Sequence, residues 1–328
     1  MTRLLLRRPH FSLVVALLSF SGLTCSAIDY IRTPEFIADP APHLALDAIK
    51  SLRVTDTLLV PTLNLRVAVQ GSVFAAKGIG GSTASAKGSF VVLGHEKAAL
   101  NALAAQLYAD FVQKLKDAGW KVLTYDDIKD EPEVVQLARR SGDGPLALPT
   151  EKSQDGRTSF VVATPTEAQN FKAAMQGLHW TFRGVGQKRN ATILIPHLDV
   201  FSPQLWGETR KGYSSASAKV NTHPGITLTF AMIVAQTPKG GGGMIVKTKY
   251  PVISAETVGT FIDAKDKSPS AANALSKGLS ILGGGGSISR SSAAYQFEID
   301  PKAYATGVQA SSGTFLNQAA KAIAAGKP

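Results

Sequence analysis

From Leu63 the chain alternates: Leu63, Leu65, Val67, Val69 and Val73 fall on one side, and Asn64, Arg66, Gln70 and Ser72 on the other. A period of two predicts a half-buried strand. Residues 77–87, rich in Gly, Ser and Ala, read as a loop, and Ser89-Phe90-Val91-Val92-Leu93 is a short apolar run of the kind a covered strand carries. The period then changes. Leu100, Leu103, Leu107, Phe111 and Leu115 recur at helical spacing, with Gly119 where helices commonly stop. Residues 120–125 predict another strand. Residues 132–140 predict a short helix whose acidic opening suits the positive end of its dipole.

A second unit starts after a polar loop over residues 141–156. Ser159-Phe160-Val161-Val162 repeats the earlier Ser-Phe-Val-Val, and Thr164-Pro165-Thr166-Glu167 has the form of a capping box. Two strand-to-helix units in succession predict a parallel pair in one sheet, joined by right-handed crossovers. Strands are then expected over residues 177–183, 192–201 and 214–221. The clearest hairpin joins residues 226–235 to 244–252 through Gly240 to Gly243. Its Ile226, Leu228, Phe230, Met232 and Val234 form one face, and Thr227, Thr229 and Ala231 the other. A helix over residues 269–282, the glycines 283–286, a strand over 295–299 and helices over 301–309 and 314–324 complete the pattern. The expected fold is an α/β (α+β) sandwich, a mixed sheet with βα crossover units followed by antiparallel hairpins. Its expected divisions are 1–27, an extended lead-in 28–61, the sandwich body 62–265 and a C-terminal helical section 266–328 with one strand.

The first 27 residues change the picture from fold to address. Arg3, Arg7 and Arg8 form a basic head, residues 11–23 an apolar run, and Cys25-Ser26-Ala27 offers small residues to a peptidase. The run falls short of the ~20 residues that cross a membrane, so it reads as an export signal and places the protein in the periplasm or outside the cell. Cleavage after Ala27 removes the only cysteine and excludes a disulfide within the mature chain. Acylation at Cys25 is disfavoured, because Gly22 and Thr24 stand where a lipoprotein signal carries leucine and a small residue.

Three of the 35 basic residues and none of the 24 acidic ones lie in that segment, so the remaining chain carries 32 − 24 = +8. The excess is dispersed, with no run resembling a nucleic-acid-binding arm. It favours weak attraction to an anionic envelope component.

Residues 107–125 (LYADFVQKLKDAGWKVLTY) and 225–250 (GITLTFAMIVAQTPKGGGGMIVKTKY) carry a resemblance of topology and apolar spacing. They are similar to the periplasmic sandwich domains of curli-secretion CsgG and of the TolB N-terminus. The resemblance implies an envelope accessory or assembly role. Pore formation and the TolB propeller are not carried over, since the chain lacks a good lipobox and any blade repeat.

No Gly-x-Ser-x-Gly, Ser-x-x-Lys, His-Glu-x-x-His or Gly-x-x-x-x-Gly-Lys-Ser/Thr occurs beyond residue 27, which argues against the common serine hydrolases, zincins and nucleotide hydrolases. His197 and Asp199 sit two apart on an expected strand and share a side, but two ligands do not make a metal site. Trp180, Phe182 and Trp206 flank the basic segment 183–189, and aromatic rings beside cations grip sugars or lipid head groups. The candidate binding residues are therefore Trp180, Arg183, His197, Asp199 and Trp206, with no catalytic residue, metal or cofactor expected. The sequence reading is an exported envelope accessory or ligand-binding protein without catalysis. Its alternatives are a hydrolase with a noncontiguous site and a carrier of a lipid-like ligand. The expected partners are an anionic envelope component, a lipid-like ligand or an envelope protein.

Overall fold

The alternation from Leu63 becomes one long strand, β4, at the crossroads of a mixed sheet. In the computed structural model, residues 30–262 and 288–326 are described, apart from 48, 80–81, 175–176 and 212–215. Residues 1–27, expected as an export signal, and the helix and glycines expected over 269–286 lie outside these residues.

Residues 28–61 were expected as an extended lead-in, yet from Ile31 onward they fold into the body. They form β1 (Ile31–Arg32), α1 (Thr33–Ala38), β2 (Leu44–Leu46) and β3 (Thr57–Val60). Pro34 sits in the first turn of α1, where its missing N–H has no partner to lose. All four residues of β3 are buried, so this segment is interior strand.

β4 (Asn64–Ile79) and β5 (Ser82–Leu93) form an antiparallel hairpin that continues through the expected loop over residues 77–87. The small residues flanking this stretch serve close packing. A Cβ added at Gly88 would lie 2.6 Å from Val220, and one at Gly207 2.7 Å from Ala75. Both contacts belong to a second hairpin, laid across the arm, whose glycines and alanines read as loop by composition alone.

α2 (Lys97–Asp117) follows as expected, burying Leu100, Leu103, Ala104, Leu107, Phe111, Val112 and Leu115, and Gly119 behind it takes φ +82. Tyr108 Oη donates to Val60 O at 2.7 Å and ties this helix to β3. β6 (Lys121–Thr124) pairs with β3 in parallel. The helix expected over 132–140 is only one turn, α3 (Pro132–Val135). β7 (Thr150–Lys152) and β8 (Thr158–Ala163) come next. The capping box at Thr164–Glu167 opens no α-helix. A single 3-10 turn over Glu167–Gln169 stands there, and the Gln169 amide instead donates across to Pro61 O at 3.0 Å.

The two Ser-Phe-Val-Val strands do lie in one sheet and run the same way, but β4 separates them. Gln70 pairs with Val91 on one side and Ser159 on the other, antiparallel in both cases. The strand expected over residues 177–183 is helical: α4 (Leu178–Thr181) and α5 (Arg183–Lys188), entered through Gly177 at φ +106. Trp180 and Phe182 therefore do not share a strand face. Phe182 is buried and Trp180 half-buried.

β9 (Thr192–Phe201), β10 (Gln204–Lys211), β11 (Ala216–His223), β12 (Thr227–Gln236), β13 (Gly242–Thr248), β14 (Val252–Ile253) and β15 (Gly259–Ile262) follow. β10 has no counterpart in the sequence reading; it pairs with β11 as a separate two-stranded sheet. The β12–β13 hairpin forms as expected, but register shifts at Leu228/Phe230 and Ile233/Val234 break its simple alternation. Ala231, Ile233 and Ala235 reach the larger core, whereas Phe230 and Met232 are half-buried.

β16 (Ile288–Ile299) pairs in parallel with β5 from Ile288 opposite Thr83 to Glu298 opposite Leu93. α6 (Pro301–Val308), capped by Asp300 accepting from Ala303 N at 2.8 Å, continues through a π-helical segment (Gln309–Gly313) into α7 (Thr314–Ala325). The C-terminal section thus shares the body's sheet and core.

β9 displays the layering. Leu194, Leu198 and Val200 enter the larger core with Leu103, Leu107, Phe111, Phe315 and Ile323 of the long helices. Ile193 and Ile195 point the other way, into a second core with Leu59, Phe171, Phe182 and Val185. The expected α/β sandwich is thus a curled mixed sheet between a layer of long helices and a smaller layer of short ones.

Candidate functional site

Past Ile195 on the second face of β9, the next two side chains in step are His197 and Asp199. The parallel partner β4 places Asn64 opposite His197 and Arg66 opposite Asp199. Four polar side chains are thus set as two cross-strand pairs on a surface that is otherwise apolar core. Arg140, at the end of the helix expected over 132–140, and Glu151, from the stretch read as a polar loop, close over them.

The Arg66 guanidinium donates from Nη1 to both oxygens of Asp199, at 3.1 and 2.8 Å. Its Nε lies 3.1 Å from Glu151 Oε2, and Arg140 Nε lies 3.1 Å from the other Glu151 oxygen. Arg140 Nη1 also donates to Asn64 Oδ1 at 3.1 Å and to Asn170 Oδ1 at 3.0 Å. Phe160 lies under Arg66, 4.4 Å from ring centroid to guanidinium carbon.

This arrangement fixes the histidine tautomer. An arginine N–H can only donate, so Asn64 turns its oxygen toward Arg140 and its Nδ2 toward His197. Asn64 Nδ2 then donates to His197 Nδ1 at 3.2 Å, which keeps that nitrogen bare and leaves the proton of the neutral ring on Nε2. Burial, then the charges of Arg140 and Arg66, and last His179, push the imidazole down to about 3. Burial likewise pushes the Asp199 carboxyl up to about 6, against the pull of Arg66. Two guanidiniums and two carboxylates cancel, and each carboxylate faces at least one cation. His197 is neutral and its Nδ1 is engaged, so the cluster is arranged to hold strands together.

The remaining candidates stand elsewhere. Arg183, exposed at the start of α5, places its guanidinium 5.0 Å from the ring centroid of Trp180. It makes no hydrogen bond or ion pair with a described residue. Its Nη2 comes within 3.6 Å of where a Cβ on Gly240 would be, in the turn between β12 and β13. Trp206 is 38% exposed on the hairpin β10–β11, opposite Asn221, and its Nε1 donates to Glu208 at 3.4 Å. The five sequence candidates therefore separate into three places: His197 with Asp199, Trp180 with Arg183, and Trp206 alone.

No protein family model, curated protein or solved structure matches this chain. Among the described residues no group of three or more His, Cys, Asp or Glu side chains is placed to hold a metal ion, and no helix is long and apolar enough to cross a membrane.

Sequence reasoning missed Asn64, Arg66, Arg140, Glu151 and Asn170. Asn64 and Arg66 did carry a signal, as the polar side of an alternating strand, but that side was assigned to water. Arg140 and Glu151 carried none, because their partners lie far away in sequence. The acidic group near residue 130 is also spoken for: Glu131 pairs with Arg189 at 2.5 Å and with Lys188 at 3.4 Å, and Glu133 with Lys188 at 3.4 Å.

Proposed function

We propose that this chain is an exported accessory or ligand-binding protein of the bacterial envelope that acts without catalysis. The observation that carries the reading is the closure of the Arg66, Arg140, Glu151 and Asp199 cluster. The residues best suited to acid–base chemistry, His197 and Asp199, are held by Asn64 and Arg66. A general base needs a free lone pair within reach of its substrate, and His197 Nδ1 is already engaged. Arg183 and Trp206 present open surface instead, which suits binding. The basic excess, the export segment and the similarity in element order to periplasmic CsgG and TolB domains support the envelope setting.

Native mass spectrometry of the protein purified from its own envelope fraction tests this. A bound small molecule or protein partner, retained when Asp199 is replaced by Asn, is the expected result. Hydrolysis of envelope material that Asp199→Asn abolishes would overturn the reading in favour of a hydrolase.

A further inference from the structure

Arginine on a protein surface commonly finds a carboxylate, and the other arginines near Arg183 have done so. Arg189, just past the end of α5, is taken by Glu131, and Lys188 by Glu131 and Glu133. Arg183 has no such partner among the described residues, yet its position is fixed from two sides. The Trp180 ring stacks against its guanidinium at 5.0 Å, and the turn at Gly240 comes up beside Nη2. A planar guanidinium held in place with its N–H donors free is pre-organised for a tetrahedral or planar oxyanion, which it meets with two parallel hydrogen bonds.

The turn supplies the rest. Gly240 takes φ +100, a conformation that favours glycine, and its lack of a side chain leaves room beside Arg183. The turn is braced internally, with Gly240 N donating to Thr237 O at 3.1 Å and Gly241 N to Thr237 Oγ1 at 3.1 Å. Lys239, next to Gly240, is exposed and makes no ion pair with a described residue. The turn beside Arg183 thus carries a second cation one residue from Gly240, while the carboxylates Glu131 and Glu133 are already paired with Lys188 and Arg189.

Resting on the binding reading above, we propose that Arg183, Trp180 and Lys239 with the Gly240 turn form a binding site for the phosphate group of an anionic phospholipid surface. Arg183 takes the phosphate oxygens through its fork, Lys239 adds attraction, and the half-buried Trp180 offers its indole edge to the interfacial region, where tryptophan is favoured. A lipid surface is preferred over a soluble phosphate because the site is open and lacks the enclosing donors that hold a small free anion, while the net charge of +8 carried beyond residue 27 favours an extended negative surface.

The test is co-sedimentation of the mature protein with vesicles of phosphatidylcholine alone and with added phosphatidylglycerol, with and without inorganic phosphate. Wild type is expected on the anionic vesicles, less so as salt rises. Arg183→Gln should weaken binding about tenfold or more, the scale of lost charge-assisted hydrogen bonds, and Arg183→Lys should restore part of it. Melting curves of both variants check that the fold is kept. Equal binding by wild type and Arg183→Gln would overturn the site while leaving the general binding reading intact. Competition by millimolar inorganic phosphate as effective as by vesicles would overturn the lipid assignment, as would failure of wild type to bind anionic vesicles. A different ligand retained in native mass spectrometry would then show that only the site had failed.

Discussion

Arg66 and Arg183 are the same side chain in opposite situations. Arg66 is 20% exposed, donates from Nη1 to Asp199, pairs with Glu151 through Nε at 3.1 Å, and stacks on Phe160. Arg183 is exposed, stacks on Trp180, and meets no carboxylate among the described residues. Both use an aromatic ring to fix the guanidinium plane. Only one has its charge answered by a carboxylate among the described residues. The difference teaches where to look for function: a conspicuous cluster of charged residues with every member paired is a clasp between strands, and a lone charge held without a partner is an opening to something outside.

The largest effect that sharpens this contrast is loss of the clasp. Arg66→Ala leaves Asp199, whose side chain is 13% exposed, without the two hydrogen bonds from Nη1 and Glu151 without one of its cations. Removing one partner of a largely buried pair leaves an uncompensated charge, which costs about 3 kcal/mol. Chemical denaturation would read this directly. Replacing Arg66 and Asp199 together by Met and Leu should recover most of the loss, since well-packed apolar residues substitute for such pairs at little cost. If Arg66→Ala loses under about 1 kcal/mol, the cluster behaves as solvated surface and the contrast collapses.

Acid should attack the interior before it touches Arg183. Burial pushes His95 down to about 4; it lies edge-on to Tyr304 at 4.8 Å, and both its ring nitrogens lack hydrogen-bond partners among the described residues. Above the unfolded value of about 6.5 neither state is charged there. As pH falls from about 6.5 toward 4, the unfolded chain binds a proton that the folded one refuses, so stability is lost by about 3 kcal/mol over that window. His197, pushed down to about 3, acts in the same direction. Asp199 opposes them: with its folded carboxyl raised to about 6, its contribution falls as pH rises from about 4 to 6. Urea midpoints measured from pH 7 to pH 4 should decline for wild type and decline less for His95→Phe. An unchanged slope in that variant would mean the imidazole is hydrated in the folded protein.

How much of this was legible beforehand depended on whether the physics was local. α2 was legible because five apolar residues at helical spacing and a terminal glycine act within a few turns. β9 and the β12–β13 hairpin were legible for the same kind of reason. The strand pairing over residues 77–87 was not, because the small residues that flank it, Ala75 and Gly88, answer to Gly207 and Val220 of the crossing hairpin, far away in sequence. The failed capping box is similar, since Gln169 is committed to Pro61. The site divided along the same line. His197 and Asp199 were found by a period of two, whereas Arg66 and Arg140 acquire meaning only when β4 and β9 pair. Trp180 and Arg183 were set on the wrong element, because Gly177 at positive φ turns the chain into a helix that apolar alternation does not reveal.

The smallest effect completes the contrast. Arg183→Gln removes no hydrogen bond or ion pair to a described residue, only the stacking of an exposed cation on Trp180, which is worth about 0.5 kcal/mol. Its denaturation midpoint should therefore match wild type within the scatter of ordinary surface substitutions, about 0.5 kcal/mol, under the same conditions in which Arg66→Ala is strongly destabilised. A loss of more than about 1.5 kcal/mol would exceed what exposed stacking supplies. It would mean that Arg183 pins Trp180 over the second core, where Phe182 and Phe171 meet edge to face at 4.7 Å. Arg183 would then belong with Arg66 as part of the scaffold, and its unanswered charge would no longer point outward.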